Sequence, residues 1–333
     1  MSSASRAARH ESTGMNDPSS EGKPGHFDVA PFLREIGRGK DGSRALDRER
    51  ARALMQAILA GELAELALGG VLLALRMKGE ATSEILGFLD ALDPLLQRAP
   101  AAGRPWVILP SYNGARSTPN LVPLLALLLA RDGVPVLVHG QESEPAAAKR
   151  VRVTSAAIFA ALGMPPVHSM AAALACARSG QPAFAPLATF APALARLIAL
   201  RPILGVRNVA HTLAKLVRPV EGPSLLLASY THPDFGRLQA DIMRATGERA
   251  LVMRATDGEA VVRSGRSQAI ELWNAGSSRT VLEAQAVAGP PEELPLPAAA
   301  PTAQWIREVL DGAKPIPEGI KRQIGEIRLA IEF

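Results

Sequence analysis

The chain has a single cysteine, Cys176, so no disulfide can form within it and no cysteine cluster can hold a metal. Aromatic residues are 4% of its 333 positions, which leaves Ala, Leu and Val to fill the interior and favours closely packed helices. No run is long and uncharged enough to span a bilayer, and the first residues, MSSASRAARHESTGMNDPSSEGKPG, lack the apolar stretch of a signal peptide. The expectation is a globular cytoplasmic protein with a solvated, mobile leader over residues 1–26. Strong catalytic signatures are missing too: there is no H-E-x-x-H, no G-x-x-x-x-G-K-[ST] and no G-x-S-x-G. The six histidines are dispersed, and His168 and His232 read as turn or cap partners. No metal site and no bound cofactor is expected.

The most informative absence is of acid. Between Glu144 and Glu221 lie 76 residues without one Asp or Glu, where even spacing would place about seven. The same window holds nine cations: Lys149, Arg150, Arg152, Arg178, Arg196, Arg201, Arg207, Lys215 and Arg218. A net charge of +5 and a sequence pI near 9.7 are modest for this length, so the distribution says more than the total. Cations left without local acids imply an anionic partner. The aromatics Tyr112, Phe159, Phe184, Phe190 and Tyr230 are scattered among different elements, so core packing is their expected role. Phosphate-led binding of a polyanion, with little reading of bases, is what remains.

The patterns that are present give the architecture. FDVAPFLREIG reads as a short helix stopped by Gly37. In the next stretch Leu54 and Ile58, then Leu68, Leu72 and Leu75, recur at helical spacing, and Gly61 separates two amphipathic helices. Thr82 is expected to cap a further helix, TSEILGFLDALDPLLQ, with Ser83 and Glu84 in its first turn. From Pro105 the pattern alternates. WVILP and VPVLVHG read as strands joined by the helix LVPLLALLLARDG, and SLLLASY and RALVMRA as a second parallel pair joined by HPDFGRLQADIMRATG. GPPEELPLPAAAP is a Pro-rich loop before two final helices, TAQWIREVLDG and GIKRQIGEIRLAIEF. The predicted fold is α/β: a helical subdomain over 27–98 packed on a larger α/β domain over 99–333, with a mixed, mostly parallel sheet.

Several segments, in order, resemble the family 3 glycosyltransferase fold of anthranilate phosphoribosyltransferase and the class II nucleoside phosphorylases. AILAGELAELALGGVLLALRMKGEATSEILGFLDAL, with Lys78-Gly79-Glu80, is similar to that family's N-terminal helical signature. SYNGARSTPN lies where the family carries G-T-G-G-D and then N-I-S-T; VHGQ lies where it carries K-H-G-N. RPILGVRNVAHTLAKLVRP follows its R-x-x-L-G-x-R-T-x-x-N-x-x-G-P-L-x-N-P block. The resemblance implies a homodimer formed through the N-terminal helices.

The departures bear on function. Pro110-Ser111-Tyr112-Asn113-Gly114 stands in place of the glycine-rich loop whose backbone reaches the diphosphate in the enzymes, and Gly258-Glu259-Ala260-Val261 in place of the G-L-D-E run whose acids hold magnesium. Asp257-Gly258-Glu259 then reads as a solvated turn between strands. Asn120, His139 and Gly140 match the family, so Ser111, Asn113, Gly114, Ser117, Thr118, Asn120, His139 and Gly140 are expected to form a residual anion pocket. Arg201 and Arg207 match the family's two arginines, while Lys215 and Arg218 are cations where it has uncharged groups, and Arg116 is new to the loop.

Lys149, Arg150, Arg201, Arg207, Lys215, Arg218 and Arg116 are therefore expected to line a phosphate-binding groove. The resemblance is strongest to the YbiB-like branch of the superfamily, which is associated with nucleic-acid binding. It implies a non-catalytic DNA- or RNA-binding homodimer in the cytoplasm, with association with the nucleoid as one option, and no membrane partner. The alternative is a phosphoribosyltransferase or phosphorylase with a diverged phosphate site, using Arg201 and Asn120 for substrate and His139 near the ring.

Overall fold

The computed structural model describes residues 27–39, 41–142, 152–263, 266–286 and 293–332; the leader expected over 1–26 lies outside them. The chain begins with four helices, α1 (Ala30–Ile36), α2 (Arg48–Ala60), α3 (Glu65–Lys78) and α4 (Thr82–Leu92). The Asp47 carboxylate caps α2 by accepting from the Arg50 amide at 2.8 Å. At α4 the cap differs from the sequence expectation: the N-cap is Ala81, and Thr82 is the first helical residue. Glu84, its side chain fully buried, supplies what the cap lacks, accepting from the amides of Ala81 and of Leu46 and pairing with Lys78 at 2.6 Å. A tertiary contact has replaced a local cap. Pro94 then ends the helix in a single 3-10 turn, Asp93–Leu95.

Alternation follows as the apolar runs predict: β1 (Trp106–Ser111), α5 (Val122–Arg131), β2 (Val136–Gly140), α6 (Ser155–Ala161), α7 (Met170–Arg178) and β3 (Ala183–Pro186). Four short helices, α8 (Leu187–Phe190), α9 (Pro192–Ala199), α10 (Arg201–Leu204) and α11 (Ala210–Leu213), precede β4 (Ser224–Tyr230), α12 (Pro233–Thr246) and β5 (Ala250–Arg254). Next come β6 (Arg266–Ser267), β7 (Ile270–Asn274), β8 (Ser277–Leu282), β9 (Gln285–Ala286), α13 (Ala299–Leu310) and α14 (Glu318–Ile331). The main sheet has seven strands in the order β3-β2-β1-β4-β5-β7-β8; β7 and β8 run antiparallel and the rest parallel. It is mixed and mostly parallel, as expected. β6 and β9 form a separate ribbon.

Successive residues of a strand face opposite sides of a sheet, so each strand feeds two cores. Trp106 and Ile108 point to one side with the first four helices and α7–α12; Val107 and Leu109 point to the other with α5, α6, α13 and α14. The helical side is assembled from two stretches of chain, because Leu194, Leu197, Ile198 and Leu213 share a core with Leu54, Ile58 and Phe88. All three tryptophans are buried, with no more than 4% of their surface exposed: Trp106 and Trp273 on the helical side, Trp305 on the other.

Candidate functional site

From β1 the chain steps outward to β2 and β3 and then returns to the opposite side of β1 as β4, so the direction of winding reverses between β1 and β4. Such a switch point opens a crevice at the carboxyl ends of parallel strands. The ladders show it opening. β1 stays paired to β2 through Ser111 and Gly140, whereas its pairing to β4 ends at Ile108 and Leu226. A Cβ on Gly140 would lie 2.0 Å from the Ser111 carbonyl oxygen, so only glycine lets the two strand ends approach this closely. The loop after β1, the end of β4 at Tyr230 and the turn after β5 meet at the crevice.

The donors of that loop are already engaged. Backbone amides of Arg116, Ser117 and Thr118 donate to Asp257 Oδ2 at 3.1, 2.8 and 3.0 Å, and the Ser117 and Thr118 hydroxyls add bonds at 2.8 and 3.1 Å. One residue pair earlier, the amides of Asn113 and Gly114 donate to Glu259 Oε1 at 3.0 and 2.6 Å. Burial works against ionisation of Asp257, but the bonds from Ser117, Arg116 and Thr118 outweigh it and hold this carboxyl below the usual range. Burial pushes the Glu259 carboxyl up. The expected solvated turn is thus corrected in part: Glu259 is fully buried, and the tip of the turn is inserted in the loop. A Cβ on Gly258, whose φ is +99°, would lie 2.3 Å from Asn113 Nδ2, which fixes glycine at the tip.

Beside this contact lies a cationic cluster. The imidazole of His211 is kept neutral, its pKa lowered to about 4, by burial and by the nearby charges of Arg207, Arg201 and Lys215. Burial lowers the Lys215 ammonium to about 8, opposed by Glu259 and reinforced by Arg207. A cleft of about 210 Å³ opens here, walled by Arg76, Glu80, Arg207, Lys215, Tyr230 and Phe235. Its lining residues Asn113, His211 and Gln239 each carry a buried polar atom without a hydrogen-bond partner among the described residues, which is the condition of a site that a polar ligand could complete. A second, wider cleft of about 610 Å³ shares the wall of Tyr230 and continues past Asp257 to Arg254, Arg263 and Gln268.

The structure brings Arg201, Arg207 and Lys215 together but turns Arg218 elsewhere. Arg218 donates to Glu248 at 2.5 Å, to the Arg249 carbonyl at 2.8 Å and to Ser224, and its side chain is 13% exposed. Lys149 and Arg150 lie outside the described residues. The Arg116 residue is exposed while its amide serves Asp257. Ser111 bonds Ser155 at 2.7 Å, and Asn120 bonds Ser155, Val153 and the Val122 amide. His139 is fully buried, bonded through Nδ1 to the Tyr112 hydroxyl at 2.7 Å and edge-on to Phe190; burial lowers its pKa to about 3. It faces the core. Sequence reasoning missed Arg76, Arg254 and Arg263 as cleft residues. Arg76 sits just before the Lys78-Gly79-Glu80 signature, and Arg254 and Arg263 flank the Asp257 turn, but nothing local marks them. It also missed Asp257 and Glu259 as partners of the loop.

Residues 30–93 match the helical bundle domain of the glycosyl transferase family. Over 303 residues the chain is 43% identical to the protein YbiB of Escherichia coli (strain K12), covering 90% of this chain and 92% of that one. It is 26% identical over 295 residues to the anthranilate phosphoribosyltransferase of Methylobacterium nodulans, covering 85% and 83%. In fold it is similar to the anthranilate phosphoribosyltransferase of Thermus thermophilus, with a TM-score of 0.64 at 23% identity over 86% of this chain and 85% of that one.

Proposed function

The chain belongs to the family of Escherichia coli YbiB, within the anthranilate phosphoribosyltransferase superfamily, and from that premise we propose that it is a non-catalytic nucleic-acid-binding homodimer with little sequence preference. One observation carries the reading: Arg207 and Lys215, with Arg201 beside them, stand at one end of a pair of adjoining clefts whose other end is lined by Arg254 and Arg263. Guanidinium groups present a planar fork that suits phosphodiester oxygens, and a row of cations follows a backbone without reading its bases. Tyr230, half-buried between the two clefts, offers a ring edge or face to a splayed base. In this proposal the protein works in the cytoplasm, and at the nucleoid where the partner is DNA.

The dimer in this proposal rests on α3. Leu66 and Met77 are 90% and 85% exposed, and with Leu73 and Gly70 they make an apolar stripe at helical spacing. A second copy covering that stripe across a two-fold axis would set two cation-lined clefts on one assembly, and the second half then binds at raised effective concentration.

The experiment is fluorescence anisotropy with labelled single- and double-stranded DNA and RNA of random sequence over a salt series. If Arg201, Arg207, Lys215, Arg254 and Arg263 all contact phosphates, affinity falls roughly 100- to 500-fold between about 50 and 200 mM salt. Absence of binding at low salt would overturn the proposal, and so would enzyme-dependent formation of phosphoribosylanthranilate from phosphoribosyl diphosphate and anthranilate.

A further inference from the structure

We propose that the loop after β1 is an anion-binding nest filled by its own chain: Asp257 stands where a phosphoanion would sit, and it closes the crevice to free phosphate and diphosphate. The inference does not depend on nucleic-acid binding. Three successive backbone amides, those of Arg116, Ser117 and Thr118, converge on one atom, Asp257 Oδ2, and successive amides arranged this way form a concavity suited to anions. The donor supply exceeds what a carboxylate oxygen can use. Oδ2 receives five contacts, from those three amides and two hydroxyls, while Oδ1 receives one, from the Ser117 hydroxyl. A carboxylate oxygen has about two lone pairs, whereas a phosphoryl group would spread the same donors over three oxygens.

The insertion carries backbone strain and is held against it by clamps. Asp257 has φ +51° and Gly258 φ +99°, so two consecutive residues adopt left-handed backbone to carry the acid into the loop. Holding a non-glycine residue there costs free energy, and the surroundings must enforce it. Arg152 bridges the two segments, donating to the Gly114 carbonyl at 3.0 Å and the Asp257 carbonyl at 3.3 Å. Glu259 repeats the arrangement one step deeper on the amides of Asn113 and Gly114. A magnesium diphosphate therefore does not fit these residues: the amides that would receive it already hold carboxylates, on Asp257 Oδ2 and Glu259 Oε1. Any incoming anion competes with a group of the same charge tethered in place.

The test uses the full chain, with inorganic pyrophosphate as probe, and two variants. Asp257→Gly removes the carboxylate and suits the left-handed backbone; Asp257→Asn keeps the shape without the charge. Thermal melts and amide chemical shifts of residues 116–118 are followed against pyrophosphate, with potassium chloride of equal ionic strength as control. In the wild type those amides should not respond beyond the control, whatever the cations of the neighbouring clefts add to the melting temperature. In Asp257→Gly the melting temperature should fall and pyrophosphate should raise it in a dose-dependent way, with shifts at 116–118; Asp257→Asn should respond more weakly. A folded Asp257→Gly protein whose amides 116–118 do not shift with pyrophosphate beyond the chloride control would overturn the inference. Wild-type amides 116–118 that shift with pyrophosphate would overturn it whether or not the variants fold.

Discussion

Arg218→Ala and Lys215→Met should separate two residues that the sequence presents as one basic block. Truncating Arg218 removes its bonds to Glu248 at 2.5 Å, to the Arg249 carbonyl at 2.8 Å and to the Ser224 carbonyl at 3.3 Å. The two carbonyl bonds contribute about 1 kcal/mol each, and the ion pair, whose Glu248 side is 45% exposed, at most ~1 kcal/mol after screening. The loss of about 2–3 kcal/mol corresponds to a fall in melting temperature of roughly 3–4 °C in a chain of this size. Lys215 is different. Its ammonium lies 3.5 Å from the Gly258 carbonyl and is disfavoured by burial, so replacing it with an apolar side chain of similar length should change stability little. Nucleic-acid affinity should instead fall several-fold, and the salt dependence should flatten by about one counterion. Differential scanning fluorimetry beside anisotropy over a salt series reads both effects. The reasoning is refuted if Arg218→Ala melts like the wild type and loses as much binding as Lys215→Met.

Further expectations follow from titratable groups and the helical stripe. With its pKa near 8, Lys215 passes from about 90% to about 10% charged between pH 7 and 9, so binding should weaken over that window in the wild type and stay flat in Lys215→Arg. His139 is held neutral with a pKa of about 3 against an ordinary 6.5. Its contribution to stability is therefore complete above pH 6.5 and lost at up to ~1.4 kcal/mol per unit as pH falls toward 3, because the unfolded chain takes up the proton first. His139→Phe should melt lower at pH 8, where the Tyr112 hydroxyl loses its hydrogen-bond partner, yet show a shallower decline between pH 6 and 4; an unchanged slope would contradict the assignment. Met77→Glu places a charge on the exposed face of α3; with α3 as the proposed seam, light scattering should show a dimer for the wild type and a monomer for this variant.

The alternating region was legible because its apolar runs are short and bounded by turn residues, and because each strand interior is buried on both faces, as at Trp106–Ser111. The grouping of Arg201 and Arg207 was legible from motif spacing. The partners of the cations were not. Between Glu144 and Glu221 there is no acid in sequence, but in space Arg218 pairs with Glu248 and the charge of Glu259 acts on Lys215, both from beyond that stretch. Likewise Thr256-Asp257-Gly258-Glu259 has the composition of a solvated turn, and what makes it otherwise is a loop about 140 residues earlier in the chain. A deficit of local counter-charge measures what neighbours in sequence supply, and a fold is free to draw on any distance.

The burial of the tryptophans sets what intrinsic fluorescence can report. None of the three lines either cleft, and each indole N–H is bonded within the protein, Trp106 to Pro100, Trp273 to Glu271 and Trp305 to Glu293. Emission should be that of shielded indoles, with Trp106 and Trp273 following the helical side of the sheet and Trp305 the opposite side. The native signal is then a gauge of interior integrity, blind to an occupant of the crevice. Quenching that accompanies ligand addition would report rearranged packing at a distance from the bound molecule.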